Sequence, residues 1–415
     1  MKILLIHQYF LGKNQAGGAR FNEMAKTWSD EGHEVTVIAG YSIFANRNDP
    51  DYEGKGKYVF HEKDYYKNID VFRCHVSSAY HVNFAGRLWA YFTFVFSSIW
   101  AGLFKVKGKY DVLLVSSPPL FVGISAYVLA VFKRLPLIFE VRDLWPESAI
   151  DTGVISNPWL IKFSYWFEKS IYKKAKLVNV LTPAFREKLI NNKNIPAEKI
   201  IYIPNAADFS LAEEVAENFD AKKFRKEEGI DDKFVITYIG AHGIANHLIQ
   251  LIDTAEKLQD TNVLIQLIGG GMTKDSLIKE VKSRNLQNVR FVDSVPKNKA
   301  FQYVLASDLG TSVLKRVDTF KTIYSNKTFD YMSCKKPILL AIDGVSRKLI
   351  EDAQCGVFAE PENADDIAEK IRGYLRGDHN IIEQGLNGYN HAKEHFDRHK
   401  LALKYLNEIK KVARK

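Results

Sequence analysis

Short apolar runs alternate along the chain with longer stretches whose apolar positions recur every three to four residues, the pattern of parallel strands joined by crossover helices. In the first half the short runs predict strands at 2–6, 34–39, 69–74, 112–116, 137–141, 177–181 and 200–203. A second series follows at 234–240, 263–269, 289–291, 309–312, 338–340 and 356–358. Residues 110–143 make the clearest unit: a strand ending in Ser116-Ser-Pro-Pro119, an apolar helix to Phe132, a basic turn Lys133-Arg134, and a strand ending at Arg142-Asp143. That is a βαβ crossover. The pattern predicts an α/β chain of two doubly wound, Rossmann-like domains, 1–207 and 208–389; the last stretch, about 390–415, reads helical and basic and is expected to pack back on the first. Residues 208–232 are charged, helix-prone and free of strand runs, and read as the linker.

The length of 415 residues agrees with two domains, and 46% hydrophobic with 26% charged residues suits a globular chain with ample core. Cys74, Cys334 and Cys355 are odd in number and lie in no metal-ligand spacing, which points to a reducing compartment and no structural metal. A formal net charge of +9 fits phosphorylated substrates, anionic membrane or nucleic acid. Dispersed basic residues and the lack of a nucleic-acid module argue against the last. Residues 88–104 are uncharged and rich in aromatics, with Arg87 before them and Lys105, Lys107 and Lys109 after. The run is short for a membrane span and fits a buried helix or one lying in the interface, with Trp89, Phe92 and Phe96 toward lipid in the second case. The opening apolar run is too short for a signal peptide and reads as a first strand, so a cytoplasmic location is expected, peripheral on the inner face of the membrane.

In open parallel sheets ligands gather outside the carboxyl ends of the strands, and the candidate chemistry sits there. Gly17-Gly18 follows the first strand, Gly240 the first strand of the second domain, and Gly269-Gly270-Gly271 the next. Gly17-Gly18 alone reads more often as a turn, the triple glycine reads as a turn about as readily as a ligand cradle, and the full Gly-x-Gly-x-x-Gly pattern is missing. More specific is Ser325-Asn-Lys-Thr-Phe-Asp330: Ser325 as helix cap, free amides from Asn326 onward, Lys327 as a mobile cation and Asp330 one turn on. That combination suits a nucleotide diphosphate held through phosphates and ribose, and a plain capped amphipathic helix with Phe329 and Met332 in the core reads about as well.

Taken in order, Gly17-Gly18, Ile203-Pro-Asn-Ala-Ala-Asp208, Gly240, Ile268-Gly-Gly-Gly271 and Ser325-Asn-Lys-Thr-Phe-Asp-Tyr-Met332 with Lys336-Pro337 resemble the family 4 nucleotide-sugar glycosyltransferases of two-domain GT-B fold. Arg142-Asp-Leu-Trp-Pro-Glu-Ser148 is similar to the members that build bacterial surface polysaccharide, O-antigen and capsule, including N-acetylfucosamine-type transferases. The resemblance implies retaining transfer of a hexosyl or N-acetylhexosaminyl group from a nucleotide-diphosphate sugar, UDP-linked, with no cofactor and no metal. Residues 88–104 and their basic flank point to a polyprenyl-diphosphate-linked saccharide acceptor at an anionic membrane, with a soluble acceptor as the alternative. By the same resemblance Lys327, Arg142 and Glu147 are the catalytic candidates. Gly240, His242, Gly269, Gly271, Val295, Thr322, Ser325, Asn326, Lys327 and Asp330 would bind the donor, and Gly17, Gly18 and Asp143 would stand on the acceptor side. The chain departs from the family at three points: Thr322 replaces the first acid of the usual Glu-x7-Glu pair, Ala241 and Asn246 replace the usual Arg and Lys, and Arg142 stands in for a histidine. A non-catalytic sugar-nucleotide-binding scaffold and a GT-B nucleotide-sugar epimerase are the alternatives.

Overall fold

The computed structural model describes residues 1–12, 20–40, 58–81, 84–151 and 155–414. Two compact units divide them, one of Met1–Pro204 with His399–Lys415 and one of Asn205–Arg398. The first sheet contains β1 (Lys2–Ile6), β2 (Glu34–Gly40), β3 (Val59–Tyr66), β4 (Ile69–Cys74), β5 (Val112–Ser117), β6 (Leu137–Val141), β7 (Leu177–Val180) and β8 (Ile200–Tyr202). Their order is β3-β4-β2-β1-β5-β6-β7-β8, parallel except for β3. Strands covered by helices on both faces need apolar side chains on both, and Ile3, Leu4, Leu5 and Ile6 are all fully buried. The run Phe-His-Glu-Lys-Asp in β3 hides that strand from a hydrophobicity reading, as charge on an edge strand does.

One buried polar cluster closes this unit. Arg20, at the start of helix Arg20–Asp30, grips Glu140 of β6 through two bonds of 3.0 and 3.2 Å and donates to the carbonyls of Ile203 (2.8 Å) and Pro204. Asn179 of β7 donates to the same carboxylate at 2.9 Å and accepts from the Ile203 amide at 2.9 Å. Trp28 donates its indole N–H to the Ala402 carbonyl, 2.9 Å, which fixes helix Arg398–Val412 to this unit.

The second sheet contains β9 (Phe234–Ile239), β10 (Val263–Ile268), β11 (Val289–Val292), β12 (Leu309–Val313), β13 (Ile338–Ala341) and β14 (Gly356–Phe358) in the order β11-β10-β9-β12-β13-β14, all parallel. Two expectations need correction here. The charged stretch at 208–232 is not a free linker: helices Phe209–Glu217 and Ala221–Glu227 bury Phe209, Ala212 and Phe224 within the second unit, and the division falls at Pro204/Asn205. Of the basic C-terminal stretch, helix Ile381–His395 stays with the second unit and only the part from His399 joins the first.

β9 and β12 pair over only Leu309↔Ile236 and Gly310↔Thr237 and then part. The Tyr331 hydroxyl fills the gap, accepting from the Ile239 amide (3.2 Å) and donating to the Thr311 carbonyl (2.9 Å). Gly310 makes room for the ring, since a Cβ there would lie 2.4 Å from it. Tyr331→Phe leaves a buried amide and carbonyl unpaired and should cost about 1–3 kcal/mol, read as a lower urea midpoint, while Gly310→Ala should cost at least as much through overpacking. An unchanged midpoint in both variants would refute this role of the hydroxyl.

Candidate functional site

In each sheet the strand order reverses once, between β1 and β5 and between β9 and β12, and the candidate residues gather at those two points within their own units. In the second unit two loops interlock through glycines. Gly240 donates to the Ile268 carbonyl (3.0 Å) and His242 to Gly270 (2.8 Å), while the Thr273 amide and hydroxyl both return to the His242 carbonyl. A Cβ on Gly269 would sit 2.0 Å from the Gly240 oxygen, and one on Gly271 2.4 Å from the His242 oxygen, with both backbones at positive φ. These glycines therefore build the rim of the site through loop packing. The His242 ring is buried with neither nitrogen bonded, its pKa pushed down to about 4 by burial with help from Lys274, so it is neutral at physiological pH.

Helix Asn326–Ser333 begins at the same place. Ser325 occupies the cap position, but its hydroxyl bonds Ser312 of β12 (2.7 Å) instead of capping the helix, a correction to the sequence expectation. The amides of Asn326 and Lys327 consequently have no acceptor among the described residues. Lys327 lies over the Tyr238 ring, 4.7 Å from its centroid, and makes no ion pair among the described residues. Burial pushes its ammonium down to about 8, against the opposing pull of Asp330. Asp330 is pushed up by burial, with Lys297 and Arg398 pulling the other way. Thr322 uses its hydroxyl on the Thr319 carbonyl (2.6 Å), and Val295, in the loop after β11, packs against the cluster around Phe224. Helix start, cation, carboxylate and glycine rim are thus brought together; Tyr238, which shapes the seat of Lys327, went unnoticed although it precedes Gly240 by only two residues.

In the first unit the Arg142 amide bonds the Ser117 carbonyl (3.2 Å), which sets the residue at the carboxyl ends of β5 and β6. Beside it His7 is fully buried with both nitrogens unbonded, held well below its ordinary pKa by burial and by the Arg142 and Arg20 charges. Sequence reading passed over His7 and Gln8, whose signal was their place directly after the first strand. Asp143 accepts from the Ser148 hydroxyl (2.8 Å) and so shapes the turn into helix Glu147–Asp151. Glu147 pairs with Lys193 (2.8 Å), which also holds Glu168. Glu147 and Arg142 form no ion pair with each other among the described residues, and Gly17 and Gly18 lie outside those residues.

With this geometry the family follows. The family described as a glycosyl transferase 4-like domain matches residues 16–206, and that of the glycosyl transferases group 1 matches residues 220–388. The chain belongs to the family 4 glycosyltransferases of GT-B fold. Among individual proteins it is 22% identical to WcaI of Escherichia coli (strain K12), a glycosyl transferase named for colanic acid biosynthesis, over 99% of this chain and 100% of that one. In structure it resembles HepE of Anabaena, solved in complex with UDP and glucose, at a TM-score of 0.72 and 18% identity over 99% and 100% of the two chains. WaaG, a glycosyltransferase involved in lipopolysaccharide biosynthesis, matches at a TM-score of 0.68 and 17% identity over 99% of each chain.

The Lys327 pKa carries a sign. Its folded value lies below the ordinary 10.5, so the unfolded chain binds more protons between about pH 8 and 10.5 and the ligand-free protein gains stability as pH rises through that window. Denaturant titrations at pH 7.5, 8.5 and 9.5 on wild type and Lys327→Met should show that part of the rise vanish in the variant. Parallel curves would mean that Lys327 keeps an ordinary pKa.

Proposed function

We propose that the protein transfers a sugar from a UDP-linked donor, with retention of configuration, onto a lipid-linked saccharide in the assembly of bacterial surface polysaccharide. The observation that carries the donor side is Lys327, a cation with no carboxylate partner among the described residues, set beside two unbonded helix amides. A diphosphate leaving group gains charge as the glycosidic bond loosens, and fixed amides with a desolvated cation stabilise that charge best. Asp330 offers two acceptor oxygens to a ribose diol. With Ala241 and Asn246 in place of the family's usual cations, Lys327 bears more of the neutralisation here, and we infer that no metal is required. At the first unit's switch point Arg142, with neutral His7 beside it, is placed to orient a phosphate or a sugar hydroxyl. N-acetylfucosamine is a candidate donor sugar, on the likeness of the Arg142–Ser148 stretch.

The lipid-linked acceptor is supported by helix Phe84–Trp100 and the turn that continues it, where Trp89, Phe96 and Phe104 are each more than half exposed. Phe92, expected on the same face, instead packs on Phe121 with ring centroids 5.1 Å apart. No helix among the described residues is long and apolar enough to cross a membrane. Peripheral attachment to the inner leaflet is the matching location.

Thermal unfolding with UDP, GDP and ADP at equal concentration tests the donor site: UDP alone should raise the midpoint, and Lys327→Ala and Asp330→Ala should each abolish the shift. UDP affinity should also fall about tenfold per pH unit above pH 8, as the ammonium is lost, and chelator should leave turnover unchanged. Stabilisation by none of the three nucleotides would defeat the reading.

A further inference from the structure

Helices Phe84–Trp100, Val122–Phe132 and Pro158–Lys174 each follow a strand of the first sheet and return antiparallel to it, so their C-terminal ends collect at the amino ends of the strands, away from the switch point. Charge there is one-sided. Along residues 101–136 Asp111 is the only acid against five lysines and arginines, and the single acid of helix Pro158–Lys174, Glu168, is buried on Lys193. Arg134, Lys174, Lys176 and Arg414 converge with Val131 on an open cavity of about 450 Å³. None of the four cations forms an ion pair among the described residues; the contact of Lys174 is with the Tyr127 ring, 5.8 Å away. Unpaired like charges around a cavity repel one another and favour an anion. Apolar surface lies near them: Phe132, next in sequence to the lining residue Val131, is 70% exposed, and Trp166, 63% exposed, stands about two turns before Lys174 on helix Pro158–Lys174. Large aromatic rings left in water beside unpaired cations match the two layers of a bilayer surface, acyl boundary and phosphate.

We propose that this cavity and the aromatic faces beside it form a docking site for the phosphate-bearing headgroups of an anionic bilayer leaflet. The site is separate from the donor residues and from helix Phe84–Trp100 taken alone, and it rests on the functional reading above only for the choice of a bilayer. It gives the first unit a second set of anchors, from helix Pro158–Lys174, and a cationic seat between helices.

The test is sedimentation of the full chain with vesicles of phosphatidylglycerol and phosphatidylethanolamine, and with vesicles of phosphatidylcholine alone. Wild type should bind the anionic vesicles and be released by 0.5 M salt, with little binding to neutral ones. Each headgroup cation contributes roughly fivefold, so Lys174→Ala/Lys176→Ala should weaken vesicle binding by tenfold or more, while Lys174→Arg/Lys176→Arg should retain it. Phe132→Ser/Trp166→Ser should weaken it as well. UDP stabilisation, measured on the same preparations, should be unchanged in all three variants and certifies their folding. Its absence in wild type with vesicle binding intact would strike the donor reading and leave the docking site standing. Equal vesicle affinity of wild type and Lys174→Ala/Lys176→Ala would overturn the proposal. So would stabilisation by inorganic phosphate without vesicle binding, which marks a site for a soluble anion.

Discussion

The Tyr331 hydroxyl sits where β9 and β12 part, and the candidate site of the second unit depends on it. A parallel sheet whose order reverses must open a wedge at its carboxyl edge, and the backbone groups exposed in that wedge need partners. One phenol supplies both, a donor for Thr311 and an acceptor for Ile239. Because Tyr331 belongs to helix Asn326–Ser333, the same contact fixes the helix start against the end of β9. That puts Lys327 beside Tyr238 and Gly240 and turns the free amides toward the opening. Positioning and stability are therefore the same interaction here.

Placing a cation at this spot is costly, and the depressed pKa of Lys327 expresses the cost. The Tyr238 face offsets part of it, and the unbonded amides of Asn326 and Lys327 make the region more positive still. A site with such an excess favours a dianion, and on the proposed reading its binding energy is directed at the donor's diphosphate. The leaving group draws more of it as its charge grows. The first unit differs in kind. There Arg20 and Glu140 neutralise each other inside a bonded cluster that holds the chain at Ile203, and Arg142, the neutral His7 and Gln8 are left for a ligand among the described residues.

Much of this was legible because parallel strands buried on both faces write themselves as apolar runs, and every run singled out is a strand in the structure. β3 escaped since an edge strand with one solvated face carries Glu62 and Lys63 where a buried strand cannot. The stretch at 208–232 misled for the converse reason: its charges are real, but Phe209, Ala212 and Phe224 recur at intervals that put them on the buried faces of two short helices. Local rules also failed at Ser325, whose hydroxyl is claimed by Ser312, thirteen residues away and invisible to a capping argument. Phe92 is the same case, taken from the exposed stripe by Phe121 at the cap of helix Val122–Phe132. Pairings across elements decided these details, and a single sequence does not encode them in any short window.

The direction of the strands separates the two surfaces of the first unit. With every crossover helix running back along a parallel strand, one end of the sheet receives loops and helix N-termini, and the other receives helix C-termini. The first end favours anions brought by a substrate and suits chemistry. The second favours cations in the protein, because lysine and arginine offset the negative end of each helix dipole, and Lys105, Lys133, Lys173 and Lys174 stand in or next to those last turns. Dipole compensation alone would be satisfied by one such residue per helix. Lys107, Lys109, Arg134, Lys176 and Arg414 exceed that need, and the exposed rings of Phe132 and Trp166 gain nothing from it. The surplus of both kinds on three neighbouring helices is what a surface that is anionic outside and apolar within would select.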